Sequence, residues 1–142
     1  MILLDTNVIS EPLKATGNTG VLAWIDAQNI ETLYLSTISL AELRFGIAAL
    51  PEGKRRDTLH YSLEQRVLPL FAGRLLPFDD PASQAYAVLR ARARIAGQVI
   101  APADGYIAAI AATHGFAIAT RDTSPFEAAG LIVINPWTCR PH

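Results

Sequence analysis

The sequence predicts an α/β fold in which a parallel sheet lies between two layers of helices. Short, nearly continuous apolar runs such as Ile2-Leu3-Leu4 and Leu131-Ile132-Val133-Ile134 are typical of strands covered on both faces. Longer segments with apolar residues at helical spacing separate these runs. Because strands that alternate with helices are joined by right-handed crossovers, this order predicts a three-layer α/β/α sandwich.

Ten elements follow from the pattern. The predicted strands are residues 1–4, 33–36, 74–78, 117–120 and 131–134. The predicted helices are residues 18–28, 39–50, 54–71, 81–96 and 102–114, the last ending at Gly115. Pro51 and Gly53 indicate a tight joint between the second and third helices. The chain has no internal repeat or linker, so residues 1–142 are expected to form one domain.

Composition narrows the class of protein. Of the 142 residues, 51% are hydrophobic, which predicts a full core rather than disorder. The net charge of −1 argues against a protein that coats DNA non-specifically, but allows an enzyme with a local nucleic-acid site. With one cysteine, no basic leader and no apolar run of about 18 residues, a cytoplasmic protein is expected.

Four acids stand where the predicted topology brings them to one edge of the sheet. Asp5 closes the first strand, Glu42 lies one helical turn past the second, and Asp122 follows the fourth. Asp104 is in the first turn of the helix that leads into that fourth strand. Sites in open parallel sheets form beyond the carboxyl ends of the strands, where strand order reverses. The four carboxylates are therefore expected to converge.

Each acid also has an ordinary structural explanation. Asp5 would cap a helix, Ser39 and Glu42 fit a capping box, Asp104 suits a first turn, and Asp122 would form an Asx-turn. Together, however, carboxylates a few ångströms apart repel one another unless one is protonated or a cation binds.

The residue inventory favours a hard cation. Mg²⁺ and Mn²⁺ prefer oxygen ligands, and such an ion can polarise a phosphodiester and activate water. The chain shows no histidine and cysteine cluster that would hold zinc, because the three histidines are scattered at His60, His114 and His142. Either a carboxylate or water activated by the cation would then deliver the attacking oxygen.

Asp79 and Asp80 test the same reasoning. They also follow a predicted strand, but they precede Pro81, a typical first residue of a helix. Asp80 is therefore predicted to cap the helix that follows an edge strand, and neither acid is predicted to belong to the site.

The four acids lie in four stretches that occur in a characteristic order. These are Met1-Ile2-Leu3-Leu4-Asp5-Thr6-Asn7-Val8-Ile9-Ser10-Glu11, Ser39-Leu40-Ala41-Glu42-Leu43-Arg44-Phe45-Gly46, Ala103-Asp104-Gly105-Tyr106-Ile107-Ala108-Ala109 and Ala119-Thr120-Arg121-Asp122. Two shorter segments are Leu76-Pro77-Phe78-Asp79 and Asn135-Pro136-Trp137. Together these segments resemble the PIN-domain nucleases, specifically the VapC/FitB-type toxins of bacterial toxin–antitoxin pairs.

The resemblance implies a five-stranded parallel sheet in the order 3-2-1-4-5 and a Mg²⁺- or Mn²⁺-dependent ribonuclease. It further implies a homodimer inhibited by a cognate VapB/FitA-type antitoxin, in some cases as a larger complex on DNA. The family's acidic positions fall on Asp5, Glu42, Asp104 and Asp122, and its orienting polar positions on Asn7 and Thr120. Gly105 departs from the family, where alanine is common, without removing a ligand.

Contacts to RNA are less specific in the sequence. Arg44 and Arg121 neighbour the acids and are candidates for phosphate contacts. The basic stretches Arg90-Ala91-Arg92-Ala93-Arg94 and Lys54-Arg55-Arg56 fit solvated helix faces better. The apolar faces of the predicted helices 18–28 and 54–71 would fit an antitoxin, a second subunit or the core equally well.

Two other classes of protein share part of this pattern. A haloacid-dehalogenase-like phosphatase needs a second acid two residues after Asp5, and that position is Asn7. A catalytically weak binding or regulatory module, acting through an antitoxin–DNA complex, would be favoured by a partial acidic set, whereas here the set is complete. No residue dictates RNA over DNA; only the resemblance favours RNA.

Overall fold

Five parallel strands form the central sheet of the computed structural model, which describes residues 1–139. The strands are β1 (Ile2–Leu4), β2 (Leu33–Ser36), β3 (Leu75–Leu76), β4 (Ala117–Ala119) and β5 (Val133–Ile134). Their order across the sheet is β3-β2-β1-β4-β5, with every pair parallel. The expected order is confirmed, and the order in which successive strands are added reverses at β1, between β2 and β4.

Helices connect the strands. The α-helices are α1 (Thr6–Ile9), α2 (Thr19–Ala27), α3 (Thr37–Ala48), α4 (Lys54–Tyr61), α5 (Asp80–Ile95), α6 (Pro102–His114) and α7 (Thr123–Ala128). Shorter 3₁₀ turns occupy Glu11–Leu13, Ile30–Thr32 and Leu68–Phe71. None of the helices in residues 1–139 is long and apolar enough to cross a membrane.

Two hydrophobic clusters lie on opposite faces of the sheet, as expected for a three-layer sandwich. Successive side chains in a strand point to opposite faces, so Leu4 joins one cluster and Leu3 the other. The first cluster packs α3 and the 62–71 segment on the sheet. The second packs α5, α6 and Phe126 of α7. Both faces of β1 are therefore covered by hydrophobic side chains, and only its carboxyl end lies at the candidate site.

The predicted helix 54–71 is shorter than expected. The α-helix ends at Tyr61 and continues as a π-helical turn, Ser62–Val67, and then as the 3₁₀ turn. Pro69 keeps the α-helix from resuming after the π turn, since it lacks an N–H donor and its ring clashes with the carbonyl four residues earlier, at Gln65. Leu63 and Val67 on the π turn still reach the core.

Two predicted caps belong to other residues. Helix α3 begins at Thr37 and its cap is Ser36, whose hydroxyl accepts from the Ser39 N–H at 3.0 Å, so the capping box of Ser39 with Glu42 is wrong. Likewise α5 is capped by Asp79, which accepts from the Ala82 N–H at 3.1 Å, rather than by Asp80. In both cases the helix begins earlier than the sequence suggested.

Candidate active site

Asp5 is the buried centre of the site. It follows β1 directly, caps α1, and is 5% exposed. Its Oδ1 accepts from the Thr6 N–H at 2.8 Å and its Oδ2 from the Thr120 hydroxyl at 2.8 Å. Burial raises the pKa of Asp5 to about 6; the two hydrogen bonds oppose this rise, and the charges of Asp104 and Glu42 add to it. The capping role and the site role thus fall on one residue.

Glu42 approaches Asp5 from α3. Its Oε1 accepts from the Thr6 hydroxyl at 3.3 Å, and Thr6 is the residue whose N–H binds Asp5. Partial burial raises the pKa of Glu42, with the Thr6 hydrogen bond opposing and the Asp104 charge adding to the rise. Without the capping box, Glu42 has no role at the start of α3, so its carboxylate is free to face the other acids.

Asp104 and Asp122 complete the acidic set from the other side of β1. Asp104 lies in the first turn of α6, and its pKa is raised by burial and then by the charge of Asp122. The two acids line one cleft of about 400 Å³ together with Arg121. Asp122 precedes α7 without a capping hydrogen bond from its side chain, so the alternative Asx-turn is not formed among residues 1–139.

Thr120 and Asn7 link Asp5 to the backbone of Arg121 and Asp122 in one hydrogen-bond network. The Thr120 hydroxyl is fully buried, donates to Asp5, and accepts from the Asp122 N–H at 3.0 Å and from Asn7 Nδ2 at 3.4 Å. Asn7 Oδ1 accepts from the Arg121 N–H at 3.2 Å. These bonds fix the β4–α7 connection against α1; that they orient ligands of a cation stays a prediction.

The two candidate arginines differ in their surroundings. Arg44 forms a two-point ion pair with Glu64, with Nε at 2.8 Å and Nη2 at 3.1 Å, and this hydrogen bond lowers the pKa of Glu64. Arg121 lines the acidic cleft, and its guanidinium carbon lies 5.3 Å from the centroid of the Trp137 ring. Only Arg121 therefore has its charge available beside the acids.

Two site-supporting residues were missed from the sequence. Glu11 is 4% exposed and ties the 3₁₀ turn to the start of α2, accepting from Lys14 Nζ and the Asn18 N–H at 2.9 Å each. Burial would raise the pKa of Glu11, but those bonds and the charges of Lys14 and Arg121 hold it below its usual value. Its place at the end of the first stretch that resembles the family was the available signal, yet spacing cannot distinguish a buried acid from an exposed one.

Gly105 is the second residue whose supporting role the sequence did not reveal. A Cβ at this position would lie 2.9 Å from the Tyr86 ring, so glycine lets α5 and α6 approach closely beside Asp104. Tyr86 in turn stacks on Tyr106, with ring centroids 4.8 Å apart. The departure from alanine thus has a packing reason.

The donor set suits a hard divalent cation. All four side chains offer carboxylate oxygens, and three of them have raised pKa values partly because of one another. Within residues 1–139, no three histidine, cysteine or acidic side chains form a ready-made metal cage. Mg²⁺ needs no such cage, because it keeps several waters and binds through one or two carboxylates plus substrate phosphate. His60 and His114 do not contribute to the acidic cleft, and His142 lies outside the described residues.

Fold and site together define a class: a doubly wound α/β domain with an all-carboxylate centre at the point where strand order reverses. The chain belongs to the PIN domain family, whose model matches residues 2–131.

Its relatives cover nearly the whole chain. The VapC ribonuclease Y4jK of Sinorhizobium fredii is 66% identical over 137 residues, which is 96% of this chain and 98% of the relative. Toxin FitB of Neisseria gonorrhoeae is 56% identical over 96% of this chain and 99% of the relative. A solved structure of FitAB bound to an IR36 DNA fragment contains a chain that is 54% identical, with a TM-score of 0.95 and coverage of 100% of this chain and 99% of that chain.

Proposed function

We propose that residues 1–142 form a single PIN domain that hydrolyses RNA phosphodiester bonds as an endoribonuclease toxin, using Mg²⁺ or Mn²⁺. The observation that carries the proposal is the convergence of Asp5, Glu42, Asp104 and Asp122 from four separate segments at one edge of the sheet. Relatives of 66% and 56% identity are named a ribonuclease and a toxin, which supports the same activity.

Asp5 and Asp104 would be the main ligands of the cation, with Glu42 and Asp122 binding directly or through water. When bound, the cation supplies charge neutralisation for the phosphodiester and lowers the pKa of a water molecule. Asp5 is held by Thr6 and Thr120, so its carboxylate is pre-oriented and costs little to reorganise.

Hydrolysis also needs a proton acceptor for the attacking water. No histidine lines the acidic cleft, so a carboxylate must accept the proton as the new P–O bond forms and the bond to the leaving oxygen breaks. Glu42 suits this role when it binds the cation only through water, because its carboxylate keeps solvent access.

The proposed partners are a cognate VapB/FitA-type antitoxin and a second copy of this chain, acting in the cytoplasm. The support is the relative solved as FitAB on a DNA fragment. Co-expression with the product of a small neighbouring reading frame should abolish RNA cleavage, and the purified complex should bind DNA from its own upstream region. Cleavage unaffected by that product would contradict the antitoxin assignment.

The first prediction concerns cleavage. Asp5→Asn, Glu42→Gln, Asp104→Asn and Asp122→Asn should each lower the rate of RNA cleavage by roughly a hundredfold or more, because each removes a charge that binds the cation. The measurement is cleavage of a short single-stranded RNA by purified protein, stripped with a chelator and reloaded with Mg²⁺ or Mn²⁺. A DNA oligomer of the same sequence tests the preference for RNA.

Asp79→Asn is the matched control. Asn caps a helix as well as Asp does, and Asp79 is outside the site, so this variant should cleave RNA at the wild-type rate. The proposal fails if the metal-loaded wild type cleaves no RNA and Asp5→Asn behaves identically; that result would favour the alternative of a regulatory module.

A further inference from the structure

A cation and an aromatic ring meet at the rim of the acidic site. Arg121 immediately precedes Asp122 and lines the same cleft as Asp104 and Asp122. Its guanidinium carbon is 5.3 Å from the centroid of the Trp137 ring, within the range of a cation–π interaction. The ring comes from the carboxy-terminal end of the described chain, far from Arg121 in sequence.

A compact turn sets the position of this ring. Asn135 follows β5, its Oδ1 accepts from the Trp137 N–H at 3.0 Å, and its carbonyl accepts from Thr138 and Cys139 at 3.1 and 3.0 Å. Trp137 is partly buried and packs against the first hydrophobic cluster. The turn and the core therefore fix the position of the ring, and the Arg121 guanidinium lies over it.

The backbone of Arg121 is fixed by a hydrogen bond, whereas its guanidinium group is not. Its N–H donates to Asn7 Oδ1 at 3.2 Å, which links it to the network around Asp5. Within residues 1–139 its guanidinium makes no hydrogen bond or ion pair, although its charge helps to lower the pKa of Glu11. Arg44, in contrast, is bound at two points by Glu64. Stacking on a ring uses the guanidinium plane and leaves the N–H edge open for a bidentate partner.

Four carboxylates repel a polyanionic substrate, so the rim needs a fixed positive group. We propose that Trp137 positions the Arg121 guanidinium to bind a backbone phosphate of RNA beside the acidic site, which makes the carboxy-terminal turn 135–139 part of the substrate site. The guanidinium matches phosphate geometry at two points. This inference rests on the proposed ribonuclease function.

Arg121→Gln tests the phosphate contact. KM for a short single-stranded RNA should rise roughly tenfold with kcat within about twofold, as for a lost charged hydrogen bond to substrate. The slope of log KM against log salt concentration should fall by about 0.7, the value for one phosphate contact on a single strand. Arg66→Gln is the matched control, because Arg66 also stacks on a ring, Tyr61 at 5.5 Å, but away from the acids; it should change neither quantity.

Trp137 variants test the positioning role. Trp137→Leu should raise KM about three- to fivefold and Trp137→Phe less, because phenylalanine keeps a weaker ring face for the cation. In the Arg121→Gln background, Trp137→Leu should add nothing further, since the two residues act as one unit. Trp24→Leu is the control for lost packing, because Trp24 is partly buried against the same cluster; it should lower stability without changing KM.

The outcomes separate this inference from the proposed function. If Asp5→Asn is inactive but Arg121→Gln leaves KM and the salt slope unchanged, the phosphate-binding role is wrong and the ribonuclease stands. If Trp137→Leu raises KM equally in the presence and absence of Arg121, or if Trp24→Leu raises KM as much, the positioning role is wrong. If Asp5→Asn cleaves RNA like the wild type, the proposed function itself fails.

Discussion

At the scale of single residues, Asp5 carries two roles that oppose each other energetically. It accepts one hydrogen bond as the cap of α1 and another from the Thr120 hydroxyl, and both favour its ionised form. Burial and the nearby acids favour the protonated form more strongly, so its pKa rises to about 6. A pKa that is about two units above the ordinary value of 3.8 costs the ionised protein about 3 kcal/mol of folding free energy without a cation.

This cost predicts a pH dependence of stability. Between pH about 4 and 6 the folded chain binds the Asp5 proton more tightly than the unfolded chain, so the stabilisation is present at low pH and is lost as pH rises through 6. Metal-free wild type should therefore lose stability relative to Asp5→Asn as pH rises from 4.5 to 7. Urea unfolding of both proteins at several pH values, in chelator, measures the difference.

At pH 7 in chelator, Asp5→Asn should be as stable as the wild type or up to about 2 kcal/mol more stable. The substitution removes the cost of about 3 kcal/mol for the ionised Asp5, but it weakens the hydrogen bond to Thr120 by about 1 kcal/mol. Comparison within the pair cancels other acids such as Glu11 and Glu64, whose pKa values are lowered and whose contributions have the opposite sign. A variant that unfolds much more easily than the wild type at pH 7 would show that Asp5 is mainly structural.

At the scale of elements, the packing of α5 on α6 decides where Asp104 sits. Gly105 follows Asp104 in the first turn of α6, and the ring of Tyr86 on α5 leaves no room for a Cβ there. Phe78 packs edge-on against both Tyr86 and Tyr106, with ring centroids 6.0 and 4.9 Å away. The Arg90 guanidinium donates to the Tyr86 hydroxyl at 2.7 Å. Because these neighbours confine it, the Tyr86 ring has little room to move.

Gly105→Ala should therefore destabilise the protein by about 1–3 kcal/mol, although alanine is the better helix former by up to about 1 kcal/mol. The new Cβ would stand 2.9 Å from the Tyr86 ring and push the first turn of α6, with Asp104, away from α5. Thermal unfolding measures the stability, and RNA cleavage measures the displacement of the acid.

Gly46→Ala is the matched control on another helix. Gly46 lies in α3, and a Cβ there would meet nothing within 4 Å, so alanine should stabilise the protein by up to about 1 kcal/mol. Equal effects of the two substitutions would mean that contact with Tyr86 does not limit the position of α6.

At the scale of the whole molecule, folding assembles the acids and a cation would relieve their repulsion. The acids come from α3, from α6, and from the ends of β1 and β4, so they come close only in the folded chain. A ligand that binds the folded state alone raises stability by RT ln(1 + [L]/Kd), about 2.7 kcal/mol at a hundredfold excess over Kd.

Mg²⁺ or Mn²⁺ should therefore raise the Tm of the wild type at pH 7 by several degrees and leave that of Asp5→Asn unchanged. The shift should shrink at pH 5.5, because protons compete for the carboxylates. Differential scanning calorimetry with and without the ion measures it. A shift of the same size in Asp5→Asn would place the bound ion elsewhere on the protein.

The sequence alone determined the three layers and predicted four acids as candidates for one site. Nearly continuous apolar strands can be buried only between helices, and parallel connectivity brings the carboxyl ends of β1 and β4 together. Those constraints act through periodicity and chain order, which a sequence displays directly. The family resemblance supplied the order of the outer strands.

Only the tertiary structure decided what surrounds each acid. Helix α3 is capped by Ser36 and not by Ser39, so Glu42 has no capping role. Arg44 forms an ion pair with Glu64, whereas the guanidinium of Arg121 lies over the ring of Trp137. The physical reason is that hydrogen bonds, burial and repulsion act over a few ångströms between residues far apart in the chain. Spacing shows which side chains can converge, and packing fixes their charges and partners.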